Sequence, residues 1–138
     1  MANALYPLWK QEILKGTSNN LLNSAEGTTG VYAALVDTGT YTYSAAHQFY
    51  SSLSGIVGTD QEVTAKTQTS GTFDGSDVTF PSVSGASAEA IVLYRKNAGE
   101  NTTWPLIAYI DTGVTGLPVT PNTGNIEIQW NASGIFTL

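Results

Sequence analysis

The feature that most constrains the fold is a pair of uninterrupted apolar segments separated by a polar turn. Residues Ala90–Tyr94 read AIVLY, and residues Leu106–Ile110 read LIAYI. Successive side chains of a β-strand point to opposite faces, so a strand with one face in water alternates polar and apolar residues. Neither segment alternates, which predicts two strands covered on both faces. The intervening residues Arg95–Thr103 are polar, include Gly99 and predict an exposed turn. We therefore expect a central hairpin, Ala88–Asp111, around which the rest of the chain folds.

Two segments outside the hairpin predict short helices. Pro7–Gly16 has a proline at its first helical position and a glycine at its end, and Trp9 and Ile13 fall on one face. Ser44 is a suitable N-cap for a second helix over Ala45–Leu53. Further short strands are expected at Val31–Val36, Glu62–Thr69, Val78–Phe80, Ile126–Trp130 and Ile135–Leu138.

Short strands at near-regular spacing predict a mainly β fold, a compact antiparallel β-sandwich or barrel with two short helices. Ser18–Gly30 and Thr112–Asn125 are expected to be loops. One β-rich domain over residues 1–138 is expected, with residues 1–16 as a candidate docking arm.

Composition excludes several function classes. The net charge is −6 and charged residues make up only 12% of the chain, which argues against contacts with nucleic acid or an anionic membrane surface. The absence of cysteine excludes a disulfide framework, a thiol nucleophile and a cysteine-ligated zinc ion. No apolar run approaches the roughly 20 residues of a membrane span, and the N-terminus has no pattern typical of a secretory signal.

Residues with catalytic or ligating chemistry are few and isolated. His47 has no second histidine or cysteine for a metal site, and a hydrogen-bonded structural role is expected for it. Glu89 and Glu127 were considered as an acid–base pair for glycoside hydrolysis, but solvated charges at strand edges are the simpler interpretation. Asp74 and Asp77 have too few neighbouring carboxylates for a calcium loop. The sequence therefore predicts a protein that is not an enzyme and has no catalytic residue, metal or cofactor.

Five apolar or aromatic residues are candidate contacts for a partner. Leu5, Tyr6, Trp9 and Ile13 make the N-terminal segment more apolar than a free terminus should be, and so short a helix needs a partner to persist. Packing of this segment on the protein's own sandwich is the alternative. Trp104, at the end of the hairpin turn, predicts a protein interface, a sugar-stacking platform or a cap on the hairpin end.

Several segments, in the same order along almost the whole chain, give it a family resemblance. These segments are Ala4–Pro7, Ala34–Thr38, Tyr41–His47, Asp77–Phe80, Ser87–Tyr94, Leu106–Thr112, Gly116–Asn122 and Ile126–Trp130. Through them the chain resembles a family of small structural proteins of tailed-phage virions, most plausibly head decoration (cement) proteins.

The resemblance implies a non-enzymatic bacteriophage protein, made in the host cytoplasm and placed on the outer capsid surface of the virion. Its expected partner is the major capsid protein, and no catalytic residues come with the resemblance. A homotrimer is also expected, because several small contacts tied together gain avidity at the local three-fold positions of a shell, and a monomer at the centre of a hexamer is the alternative. A tail or fibre component, acting as a receptor- or carbohydrate-binding module, is the alternative.

Overall fold

The computed structural model describes residues 3–23, 26–27 and 29–138. The predicted docking arm begins before these residues, and part of the predicted loop at 18–30 also lies outside them. The strands are β1 (Ala4–Leu5), β2 (Gly30–Val36), β3 (Ile56–Glu62), β4 (Thr67–Thr69), β5 (Thr72–Asp74), β6 (Val78–Phe80), β7 (Ala90–Lys96), β8 (Leu106–Ile110), β9 (Ile126–Ile128) and β10 (Phe136–Thr137). One α-helix, α1 (Pro7–Lys15), and 3-10 helices at Ser18–Asn20, Tyr50–Ser52 and Asn101–Thr103 complete the described elements.

The predicted hairpin lies at the centre of the main sheet. This antiparallel sheet has the order β1-β8-β7-β2-β3, and β7 and β8 pair with Ile91 opposite Ile110 and Tyr94 opposite Leu106. Every residue of both apolar segments is buried. Since a buried large aliphatic side chain contributes about 1.5–3 kcal/mol, the hairpin is a major source of stability. The predicted central hairpin is confirmed.

Two smaller antiparallel sheets share the core of the main sheet. One has the order β10-β5-β4 and the other pairs β6 with β9. Their inward side chains, among them Phe73, Phe80 and Ile128, belong to the same hydrophobic cluster as the residues of β7 and β8. The prediction of a mainly β, antiparallel, sandwich-like fold is confirmed.

The N-terminal segment is built into the main sheet. β1 pairs with β8, with Ala4 opposite Tyr109 and Leu5 opposite Ala108. The amide of Tyr6 then donates to the carbonyl of Ile107 at 2.9 Å, and its side chain is fully buried. These bonds fix the start of α1 against the edge of the sheet.

Helix α1 begins and ends where the sequence predicts. Gly16 adopts a left-handed φ of 73° at its C-terminus, a conformation that glycine adopts without strain. Trp9 faces inward, and its indole nitrogen donates to the carbonyl of Asn20 at 3.0 Å. Its ring also meets Phe136 edge-on, with 5.7 Å between centroids. Within the described residues, no helix has the length and apolar character needed to cross a membrane.

The prediction of a second α-helix over Ala45–Leu53 is wrong. This region contains only the 3-10 helix Tyr50–Ser52, whose first amide donates to the carbonyl of Trp104 at 2.8 Å. The carbonyl of Gln48 accepts a hydrogen bond from the amide of Leu106 at 2.9 Å. Backbone groups that a helix would use internally are therefore bonded to the end of the central hairpin.

The predicted strand Glu62–Thr69 is divided into two elements. β3 ends at Glu62, and the chain turns through Ala65, at a φ of 50°, before β4 begins. Most of β3 precedes the predicted segment, and its pairing with β2 is interrupted by a bulge. Gln61 pairs with Ala33 and Val57 with Leu35, so the residues numbered 58–60 lie opposite a single residue of β2. Because the bulge interrupts the alternation of polar and apolar residues, the sequence pattern does not reveal the strand.

Candidate functional site

Three leucines form the most exposed apolar surface among the described residues. Leu14 is 89% exposed, Leu138 is 62% exposed and Leu21 is 41% exposed. Of the three, Leu138 lines a cavity of about 230 Å³, whereas Leu14 and Leu21 follow or precede lining residues in the chain and do not themselves line it. We call this cavity the α1 groove; its lining residues are Trp9, Ile13, Leu22, Gln68, Gly71, Thr72, Phe73, Phe136 and Leu138.

The predicted contact residues of the N-terminal segment differ in how much of their surface is exposed. Tyr6 and Trp9 are buried in the protein's own core, as the alternative interpretation predicted, and have almost no surface for a partner. Leu5 and Ile13 are partly buried and keep some surface. The most exposed apolar side chain of the segment is Leu14, which the sequence reasoning missed. The sequence did contain a signal for this exposure. If Trp9 and Ile13 form the inward face of the helix, Leu14, which follows Ile13, lies outside that face.

Trp104 packs on the end of the central hairpin. Its ring stacks on Tyr94, with 5.8 Å between centroids and 10° between planes, and meets Tyr50 edge-on at 5.4 Å. Its indole nitrogen donates to the carbonyl of Gly99 at 3.0 Å. The residue is partly exposed, so it covers the hairpin end and still presents surface to solvent.

This exposed part of Trp104 lines a cavity of about 360 Å³, which we call the Trp104 pocket. The ammonium nitrogen of Lys96 lies 5.2 Å from the ring centroids of both Tyr32 and Trp104, within the range of cation–π attraction. The lining residues are Tyr32, Tyr50, Ile56, Gly58, Thr59, Asp60, Tyr94, Lys96 and Trp104.

Asp60 is the acidic group of this pocket. Its Oδ2 accepts hydrogen bonds from the hydroxyl groups of Tyr50, at 2.9 Å, and Tyr94, at 2.8 Å. Its Oδ1 is buried and has no hydrogen-bond partner among the described residues. Burial raises the pKa of this carboxyl group, while the two tyrosine hydroxyls and the charge of Lys96 act in the opposite direction. Burial, followed by the charge of Asp60, also raises the pKa of both tyrosines.

Another cavity, of about 460 Å³, is lined by one of the two glutamates that the sequence suggests for catalysis. Glu89 lines it, and its Oε1 accepts hydrogen bonds from the amide and the hydroxyl of Thr38, both at 3.0 Å. Glu127 does not line this cavity; it is exposed on β9, opposite Thr79 of β6. The structure therefore does not bring the two carboxylates into one cavity.

The structure gives the other chemical candidates structural roles. Nδ1 of His47 shares a hydrogen bond of 2.9 Å with the hydroxyl of Tyr41, as expected for a structural histidine. Oδ1 of Asp77 accepts from the amide of Trp130 at 2.9 Å, which ties its turn to the end of β9. In the described part of the chain, no three His, Cys, Asp or Glu side chains form a group that could hold a metal ion.

Two surfaces thus combine exposure with the chemistry of recognition, the α1 groove and the Trp104 pocket. They have no lining residue in common, so each can be altered without changing the other. No protein-family model matches the chain, and a search of the curated proteins finds no match.

Proposed function

We propose that this protein is a non-enzymatic structural protein of a tailed-phage virion, a capsid decoration protein that binds the outside of the major capsid protein shell. The family resemblance runs along almost the whole chain and supports this assignment. The net charge of −6 suits an external position, because packaged DNA would repel an acidic protein on the inside.

The observation that carries the proposal is the apolar α1 groove, which the exposed Leu138 lines together with Ile13 of α1, a helix that also exposes Leu14. Scattered apolar residues on a surface need no explanation, whereas apolar residues gathered around one groove are typical of an interface. Covering a large aliphatic side chain contributes about 1.5–3 kcal/mol, so these leucines favour a partner that removes them from water.

The groove is also rigid enough to serve as a docking face. Trp9 holds α1 against the sandwich through its hydrogen bond to Asn20 and its contact with Phe136. β10, which contributes Phe136, pairs with β5. A preformed face loses little conformational freedom on binding, which favours affinity.

A homotrimer is the assembly that we propose for decoration. A small interface on a single copy is a weak contact, while three linked copies attach together and gain avidity. Sedimentation equilibrium of the purified protein measures this directly. A mass of one chain at all concentrations, together with isolated copies on the capsid, would contradict the trimer.

The function is tested by adding purified protein to phage heads from which it has been stripped. Bound protein is measured by co-sedimentation and located by cryo-electron microscopy. We expect the wild-type protein to occupy the outer surface of the shell. Absence of binding to heads, or density confined to the tail, would overturn the capsid assignment.

Leu14→Gln tests the groove, with Lys10→Gln as its matched control on the same helix. Both positions are exposed, so both variants should melt like the wild type. We expect Leu14→Gln to weaken head binding by tenfold or more and Lys10→Gln to leave it unchanged. Full occupancy by the Leu14 variant would place the docking surface elsewhere on the protein.

A further inference from the structure

We propose that the Trp104 pocket is a binding site for a neutral sugar residue of a glycan. The proposal is independent of capsid decoration, because the pocket shares no residue with the α1 groove. Its volume of about 360 Å³ lies at the lower end of the range for small-molecule sites, roughly 300–1,000 Å³. Such a site suits one sugar ring better than an extended ligand.

The aromatic wall of the pocket is fixed before any ligand arrives. Trp104 is held by its stack on Tyr94, its edge contact with Tyr50 and its hydrogen bond to Gly99. Asp60 in turn fixes both tyrosines through their hydroxyl groups. Lys96 lies over the Trp104 ring, so its flexible side chain must move aside before the apolar C–H face of a sugar can pack on this rigid aromatic surface.

The polar groups of the pocket match the hydroxyl groups of a sugar. Oδ1 of Asp60 is an acceptor without a partner among the described residues, and a buried acceptor left in this state costs about 1–3 kcal/mol. The ammonium group of Lys96, 5.2 Å from the centroid of the Trp104 ring, offers hydrogen-bond donors. A sugar hydroxyl both donates and accepts, so one ring can use both groups. Oδ1 is enclosed, so a sugar hydroxyl reaches it only when the Asp60 side chain shifts outward while Oδ2 keeps its bonds to Tyr50 and Tyr94.

The charges of the pocket favour a neutral ligand over a charged one. Asp60 and Lys96 have opposite charges and lie close enough for Lys96 to affect the carboxyl group. Because the two opposite charges lie together, a charged ligand would be attracted by one and repelled by the other, so neither an anion nor a cation gains much net attraction. Lys96 also already occupies the cation position over Tyr32 and Trp104. A neutral sugar, which has hydroxyl groups and an apolar face, is repelled by neither Asp60 nor Lys96.

The bulge in β3 explains how a carboxylate comes to lie beside the aromatic wall. The residues numbered 58–60 form the additional part of this strand, and Gly58 adopts a φ of 74° there. Bulges re-aim side chains and are frequent beside functional sites. The strand thus departs from regular pairing at the position that places Asp60 against Tyr50 and Tyr94.

The experiment is an NMR titration of the full chain with glucose, galactose, N-acetylglucosamine and their disaccharides. The indole N–H signals of Trp9, Trp104 and Trp130 report three separate places in the fold, and a Trp104→Phe variant assigns the relevant signal. We expect saturable shifts of the Trp104 signal with at least one sugar at concentrations up to about 10 mM. Absence of a saturable shift with every probe would overturn the proposal.

Variants determine whether binding occurs in the pocket. Trp104→Ala should abolish binding, and Asp60→Asn should weaken it by tenfold or more. Trp130→Phe is the matched control, since Trp130 donates to the carbonyl of Ser76 and does not line the pocket. If Trp104→Ala does not melt cooperatively, Asp60→Asn and Lys96→Met provide the comparison. Binding that stays at wild-type affinity in those two variants would overturn the proposal.

Discussion

The hydroxyl groups of Tyr6 and Tyr41 share a buried hydrogen bond of 2.8 Å. The hydroxyl of Tyr41 also bonds to Nδ1 of His47 at 2.9 Å, so three polar side chains form a continuous chain. Tyr6 lies between β1 and α1, and the other two lie in the loop after β2. This chain of hydrogen bonds therefore ties the N-terminal segment to a loop that is distant in sequence.

Tyr41→Phe should destabilise the protein more than Tyr6→Phe. Loss of the Tyr41 hydroxyl removes the partner of the buried Tyr6 hydroxyl and also that of His47, whereas loss of the Tyr6 hydroxyl leaves Tyr41 bonded to His47. We expect a decrease in the free energy of unfolding of about 1 kcal/mol for Tyr6→Phe and about 2 kcal/mol for Tyr41→Phe. Urea denaturation measures both. Equal losses, or a larger loss for Tyr6→Phe, would contradict this bonding pattern.

Leu93→Lys should prevent folding, while Thr79→Lys should be tolerated. Leu93 is fully buried in β7, where an unpaired charge costs several kcal/mol against a usual total stability of about 5–15 kcal/mol. Thr79 is exposed in β6 opposite Glu127, so a lysine there gains an oppositely charged neighbour. Soluble yield and circular dichroism melting distinguish the variants. A cooperative transition for Leu93→Lys near that of the wild type would show that the hairpin is not the core.

Gly134→Ala should destabilise the protein more than Gly85→Ala. The two glycines have nearly the same φ, 108° and 110°, so the backbone strain of an alanine is similar at both. A Cβ at position 134 would meet the methyl group of Thr72, whereas a Cβ at position 85 would meet nothing. We expect the difference in free energy of unfolding to be about 1 kcal/mol or more, in the range for overpacking. Identical denaturation curves would show that Thr72 yields without strain.

The tyrosines should ionise together with unfolding at alkaline pH. Burial is the largest cause that raises the pKa of every one of the seven tyrosines, and the effect is greatest for Tyr6 and Tyr94. A group whose pKa is raised in the folded state contributes stability that is present below its unfolded pKa, about 10, and lost as the pH rises above it. The part of the tyrosinate absorbance that comes from Tyr6 and Tyr94 should therefore rise in one cooperative step that coincides with loss of near-ultraviolet circular dichroism. Separate, non-cooperative ionisation of Tyr6 or Tyr94 in the folded protein would contradict this.

Prediction from the sequence succeeded for elements whose local residue pattern is consistent with their burial in the fold. The apolar segments of β7 and β8 have no polar position, and only a strand covered on both faces accommodates such a pattern. Helix α1 was predicted with its end at Gly16, because its stop signal is local to the helix. Contacts distant in sequence do not compete with these signals.

The prediction from sequence was wrong for the second helix, where backbone groups form hydrogen bonds with partners distant in the chain. Ser44 has the chemistry of an N-cap, yet its hydroxyl accepts from the amide of Ala46 and the residues that follow form no α-helix. The backbone of Gln48 bonds to Leu106 and that of Tyr50 to Trp104. A local pattern cannot reveal these partners, which lie more than fifty positions further along the chain.

The Trp104 pocket shows the same division between local and distant information. The sequence identified Trp104 as an aromatic residue with surface to present, because it lies beside a polar turn. It did not identify Asp60, whose carboxylate reaches Tyr50 and Tyr94 from a bulge in another strand.

The sequence by itself determined the hairpin, the first helix and the mainly β class, since each follows from the periodicity of neighbouring side chains. The tertiary structure alone decided which apolar residues remain in contact with water. Trp9 and Leu14 lie in the same short helix, yet one is buried and the other is 89% exposed. The reason is that burial depends on which surface packs against the helix, and the strands β5 and β10 that supply this surface are distant in sequence.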